Sequence, residues 1–371
     1  MRIAAAILAL LLAGCSRGPE SDAERSHTLY LASSRLRGFD PVKISDLPSG
    51  MGLCRIYEGL VQHAYLDRPY RVEPLLAERM PDVSEDGLVY TFTLRKGIYF
   101  QDDPCFKETG GKGRELVAED FVYSLKRLAD QKTVSVGWWI LNGRINGLDA
   151  FHDASAGAGP TDYSAPVEGL QAPDRYTVRI ELTAPYAQLL WVLAMHHAVA
   201  VPREAVETYK DNFPTHPVGT GPYILKSWRR NYNLEYVRNP KWQETGRADC
   251  YPTNGGPGDA EAGLLADAGK PLPLVDRIVT YHVSDPTTQW LMFLRGELDR
   301  SDISRDNWSV VLDSQRQLLP DVAARGIRLT IGSDMSIGYV GFNMDDPVLG
   351  KNRKLRQAMH CAFKSDDWLK L

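Results

Sequence analysis

Apolar and polar positions along the chain fall into two interleaved rhythms, one of period two and one near 3.6, so short strands and helices are expected to alternate. Thr28–Ala32 alternates as a short strand, and Gly38-Phe39-Asp40-Pro41 turns the chain after it. Ser49–Val61 has helical spacing, with Met51, Leu53, Cys54 and Tyr57 toward packing partners. Tyr90, Phe92 and Leu94 point one way and Thr91, Thr93 and Arg95 the other, which predicts a half-buried strand between the turns Val83–Gly87 and Lys96-Gly97. Ala118–Ala129 carries Phe121, Val122, Leu125, Leu128 and Ala129 on one helical stripe. Gly169–Gln171 and Tyr176–Leu182 pair as a hairpin through Ala172–Arg175, and Pro185–Met195 and Pro202–Tyr209 read as short helices with proline near their starts. Tyr223–Ser227 and Leu234–Arg238 flank the polar turn Arg229–Asn231 as a second hairpin. Val275–Val279 is a further strand and Thr287–Arg295 a helix closed by Gly296. Tyr339–Met344 is a strand leading into helical Arg353–Phe363. Such alternation predicts an α/β architecture.

The first residues break this rhythm. Ile3–Ala13 is unbroken and apolar, too short for a spanning helix of about 20 residues but suited to a signal-peptide core. Leu12-Ala13-Gly14-Cys15 resembles the bacterial lipobox, in which the cysteine thiol receives diacylglycerol and becomes the mature N-terminus. Residues 1–14 are therefore read as a lipoprotein signal peptide, Cys15 as the lipid attachment site and 15–26 as a flexible polar tether. Acyl chains contribute roughly 0.8 kcal/mol per buried CH₂, enough in combination to hold a protein at a membrane.

A chain of 371 residues, 43% hydrophobic and 24% charged, has material for two or three domains with sizeable cores. Its net charge of −4 and scattered basic residues exclude a nucleic-acid footprint. Beyond Cys15, four cysteines remain in an exported, oxidising context. Cys54 and Cys361 lie on apolar helical patterns and are expected as buried free thiols. Cys105 and Cys250 fall in Gly/Pro-rich loops and are expected to form a disulfide worth about 2–4 kcal/mol. No Cys-x-x-Cys or His-Glu-x-x-His spacing supports a metal, and adjacent His196-His197 point in different directions on a helix end. Gly219-Thr220-Gly221 leads into a strand rather than a helix N-terminus, which argues against phosphate cradling. No nucleophile–base pairing is recognisable, and no cofactor is implied. Trp138-Trp139 are the aromatic candidates for the wall of a ligand cleft, weighed evenly against core packing.

Several blocks in order carry a family resemblance. They are Tyr57-Glu58-Gly59-Leu60, the turn–strand–turn unit Ala77–Phe100, and Pro217–Trp242 with its Gly-Thr-Gly-Pro turn, hairpin and Asn-Pro turn. Gly296-Glu297-Leu298-Asp299 and Phe342-Asn343 with Arg356-Gln357-Ala358 complete the set. From about Leu29 onward the chain resembles the bacterial extracellular solute-binding proteins of family 5, the binding lipoproteins of peptide, nickel and related ABC importers. The resemblance implies a bilobal periplasmic-binding-protein-like (type II) fold: a first lobe over 27–274 with a subdomain near 58–168, and a second lobe beginning at 275–371 and left incomplete. It implies capture of a peptide or similar small solute in an interlobe cleft, delivery to a membrane permease served by ATPase subunits, a monomer in the periplasm or cell envelope, and no enzymatic activity. It places Ser33, Ser34 and Arg35 along the cleft, with Tyr339 and Asn343 on the second lobe's side. Relatives carry Thr or Ser where this chain has Val117, a lost cap worth about 1 kcal/mol that Glu119 and Asp120 partly offset. The competing readings are an envelope hydrolase on the same scaffold, which requires a nucleophile or carboxylate pair in the cleft, and a lipoprotein that docks only proteins, which requires a flat apolar patch.

Overall fold

In the computed structural model, residues 22–244, 247, 249–331 and 339–364 are described. Cys15, the segment 1–14 and the last residues 365–371 lie outside them. The chain divides into two compact units between Asn307 and Trp308.

The first unit is organised by a mixed sheet. Strand β1 (Thr28–Ser33) runs parallel to β10 (Arg277–His282), and the hairpin β8 (Tyr223–Arg229) and β9 (Asn233–Arg238) adds to it antiparallel, with a bulge between Leu225 and Ser227. The expected boundary at 274/275 is thus corrected: the strand beginning near Val275 sits inside the first unit's own sheet. A parallel partner for β1 has to arrive from a distant part of the chain, and no local pattern marks which strand will supply it. The predicted tether is corrected as well. Asp22–Ser26 is a helix, α1, tied down by Arg25, which donates to Gly296 O (2.9 Å) and Asp299 Oδ1 (3.2 Å).

A second, antiparallel sheet runs β4 (Asp82–Val83), β5 (Val89–Thr93), β7 (Thr177–Glu181), β6 (Leu170–Asp174), and β2 (Val61–His63) pairs with β3 (Val72–Pro74). The predicted alternation holds in β5 and β7, where Phe92, Val178 and Ile180 are fully buried. Helix Ala118–Ala129 packs on β6 and β7. Its polar side is buried as well as its apolar stripe. Lys126 Nζ donates to the carbonyls of Tyr163 and Ala165, both at 3.0 Å, and Arg127 pairs with Asp40. At its start Asp120 accepts from Val117 N (2.9 Å) while held by Arg114, so half of a capping box survives without a hydroxyl at Val117.

The helix predicted over 49–61 is shorter. It spans Leu47–Leu53, capped by Asp46, which accepts from Ser49 N (2.9 Å). It stops because the carbonyl of Ile56 turns to accept Gly221 N (2.8 Å) from the Gly-Thr-Gly-Pro turn, and that of Arg55 accepts Tyr223 N (3.0 Å) at the start of β8. Cys54 is therefore exposed, not buried, and Cys361 is exposed on helix Arg353–Ala362. The Cys105–Cys250 disulfide is not formed: Cys105 is a free thiol inside the core, whereas Cys250 is exposed on a loop that bridges Pro271. In the second unit, Tyr339–Met344 is not a strand, and no strand pairs with it among the described residues. An unpaired strand has no ladder to hold it.

His197 is buried, donates from Nδ1 toward Pro41 O (2.8 Å), and faces His196 with ring centroids 4.2 Å apart. Burial pulls its pKa below the ordinary histidine value, and His196 adds to that against the Pro41 hydrogen bond. The unfolded chain then binds a proton that the folded one refuses, so stability present above about pH 6.5 is lost as pH falls below it. Urea melts at pH 7.5 and 5.5 should show this decline, and His197→Asn should reduce it. An equal decline in the variant would mean other groups cause it.

Candidate functional site

In an open α/β sheet, ligands sit outside the carboxyl ends of parallel strands. Here that end is Ser33 of β1 beside His282 of β10. Two grooves open there. One, of about 290 Å³, is bordered by Ser33, Ser34, Arg55, Tyr236, Thr280 and Gln289, among others. Arg55 Nη1 donates to Thr280 Oγ1 (3.1 Å) and its guanidinium lies 4.8 Å from the Tyr236 ring centroid, a cation–π contact that fixes its plane. Burial pushes the Tyr236 hydroxyl up to about 12, so it stays protonated at neutral pH.

The other groove, of about 640 Å³, is bordered by Ser34, Arg35, Arg37, Asp46, Trp228, Arg229, Arg230, Asn233 and His282. It exists because the hairpin β8–β9 turns at this end of the sheet, with Asn231 at φ +61° closing the turn. Arg230 lies 5.4 Å from the Trp228 ring centroid. Ser33 and Ser34 border the smaller groove, and Ser34 and Arg35 the larger one.

Trp138 and Trp139 border neither groove. Trp138 stacks on His152 (4.5 Å between centroids, 13° between planes), and Trp139 stands 63% exposed. Tyr339 and Asn343 belong to the second unit. Tyr339 is 86% exposed, and the Asn343 side chain accepts from Asp345 N (3.0 Å). Sequence reasoning missed Arg55, Tyr236 and Asn233, whose positions far from Arg35 along the chain carry no local mark. It read Arg229-Arg230 only as a polar turn, though two arginines at a hairpin tip were the available signal.

Gly219-Thr220-Gly221 serves the core. Thr220 Oγ1 donates to Glu58 Oε2 (2.8 Å), and Glu58 accepts two hydrogen bonds from Arg247, each 2.9 Å, in a pair almost wholly buried. His196 and His197 contact the carbonyls of Ile44 and Pro41. Among the described residues no group of three or more His, Cys, Asp or Glu is placed to hold a metal ion, and no helix is long and apolar enough to cross a membrane.

Comparison with solved structures shows the bilobal α/β type II fold of periplasmic binding proteins. The Listeria monocytogenes OppA bound to peptide superposes with a TM-score of 0.57 at 21% identity, covering 76% of this chain and 47% of that one. The model of the bacterial extracellular solute-binding proteins, family 5, matches residues 71–371, and the chain belongs to that family. The peptide transport periplasmic protein SapA of Salmonella typhimurium LT2 is 28% identical over 356 residues, covering 93% of this chain and 54% of the relative. The periplasmic oligopeptide-binding protein OppA of the same organism is 30% identical over 257 residues, covering 66% of this chain and 43% of the relative. The chain spans about half the length of the curated relatives it matches.

Proposed function

We propose that this protein is the substrate-binding component of an ABC importer, which captures a peptide and delivers it to a membrane permease whose ATPase subunits supply the energy. The observation that carries this reading is the family match over 71–371, joined to the groove-lined Ser33–Arg35 segment at the carboxyl end of β1 and β10. The names of SapA and OppA supply the peptide.

Binding in such a site needs groups that meet a peptide's backbone and ends. Arg55, Thr280 and the protonated Tyr236 hydroxyl supply donors toward carbonyl oxygens, while Ser33 and Ser34 both donate and accept. Closure of the protein over its ligand is favoured only by contacts made in the closed form. No covalent bond of the ligand changes, so the protein is not an enzyme. Cys15 carries the lipid that keeps it at the envelope, and it acts as a monomer.

Thermal and urea melts of the full chain with a panel of short peptides test this. A peptide at one hundred times its Kd should add about 2.7 kcal/mol, which raises Tm by several degrees. The same samples, followed by mass spectrometry, should return every peptide intact. Absence of any shift across the panel counts against peptide capture, and cleavage products would favour the hydrolase reading.

A further inference from the structure

We infer that the 640 Å³ groove selects acidic peptides, anchoring a ligand carboxylate on its arginines. This rests on the peptide-binding reading and adds a charge preference to it. Four arginines, Arg35, Arg37, Arg229 and Arg230, border the groove against one carboxylate, Asp46. The chain as a whole carries net charge −4, so this is local concentration against the overall balance. Asp46 lies 3.7 Å from Arg37, while among the described residues Arg35, Arg229 and Arg230 have no carboxylate partner. Neighbouring guanidinium groups repel one another, and an entering carboxylate relieves that repulsion while accepting forked, charge-assisted hydrogen bonds. The Trp228 ring holds Arg230 by its face, which leaves the N–H edge of the guanidinium for a planar oxyanion.

A second feature specifies a peptide over a bare anion. Asn233 is 7% exposed and borders this groove, yet its Oδ1 is buried with no hydrogen-bond partner. A buried acceptor left unpaired is costly, and a ligand N–H removes the cost. A simple anion has no N–H to offer. A peptide brings a backbone N–H and, in an aspartate or glutamate residue, the carboxylate for the arginines that border the same groove.

The test uses calorimetry on the full chain with three tripeptides that differ only in a central Glu, Gln or Lys, at low and high salt, with inorganic phosphate as a fourth probe. The Glu peptide should bind about tenfold or more tighter than the Gln peptide, as a charge-assisted bond requires, and high salt should shrink that ratio. The double substitution R229Q/R230Q should bring the ratio to within about twofold. If that variant fails to fold, R35Q, at an exposed position, should still lower the ratio. Equal binding of the Glu and Gln peptides overturns the charge preference and leaves peptide capture standing. Tighter binding of the Lys peptide does the same. Binding of phosphate with no tripeptide bound overturns both readings.

Discussion

Asp40→Ala is expected to destabilise the protein by about 3–5 kcal/mol, the cost of leaving a buried charge without its partner. Asp40 and Arg127 have side chains only 4% and 5% exposed, and the two carboxylate oxygens lie 3.2 and 3.1 Å from the guanidinium. Asp40 also accepts from Val42 N (3.3 Å), so its removal strands a backbone donor too. The pair joins the loop after β1 to helix Ala118–Ala129, two segments 87 residues apart. Arg127 sits against the Phe213 ring at 5.2 Å and has no route to water without disturbing that packing. Urea unfolding should show the loss as a lowered midpoint with unchanged slope. The double variant D40L/R127M should recover most of it, because replacing both ions with apolar groups removes the desolvation burden. A single-variant loss below about 1 kcal/mol would show that water reaches the pair.

Gly219→Ala is expected to cost about 3 kcal/mol or more, at the upper end for overpacked sites. A Cβ there would lie 1.9 Å from Ile56 O and 2.7 Å from Ile56 C, both backbone atoms that cannot rotate away. The same carbonyl accepts Gly221 N, and Gly219 O accepts Gln101 N (2.9 Å), so any shift breaks ladder-like bonds on both sides. Gly87→Ala is the comparison. At φ +70° with nothing within 4 Å of its Cβ, it should lose only the left-handed strain of about 1–2 kcal/mol. Thermal melts of the two variants separate space from backbone strain. Equal losses would mean that the Ile56 contact relaxes.

The resemblance blocks found along the chain are largely internal supports of the fold. Glu58 of Tyr57–Leu60 is a buried partner of Arg247, 189 residues away, and the Gly-Thr-Gly-Pro turn presses on the backbone of Ile56. They identify the family because packing this close tolerates few alternatives. They say little about the ligand. Trp138 shows the converse: a tryptophan pair suggests a cleft wall, but its ring is already occupied by His152.

What the residues alone determined is local: both hairpins, the alternation in β5 and β7, and helix Ala118–Ala129. Each depends on side chains a few positions apart, where periodicity and turn chemistry decide the outcome. Only the tertiary structure decided that β10 completes the first sheet, that helix Leu47–Leu53 stops where it does, that Cys105 stays unbridged, and that Arg229, Arg230 and Asn233 share a groove with Arg35. Those outcomes depend on which distant backbone carbonyl or strand edge arrives to be paired. A buried polar group is satisfied by whatever the fold brings to it, and that partner's place in the chain leaves no local trace.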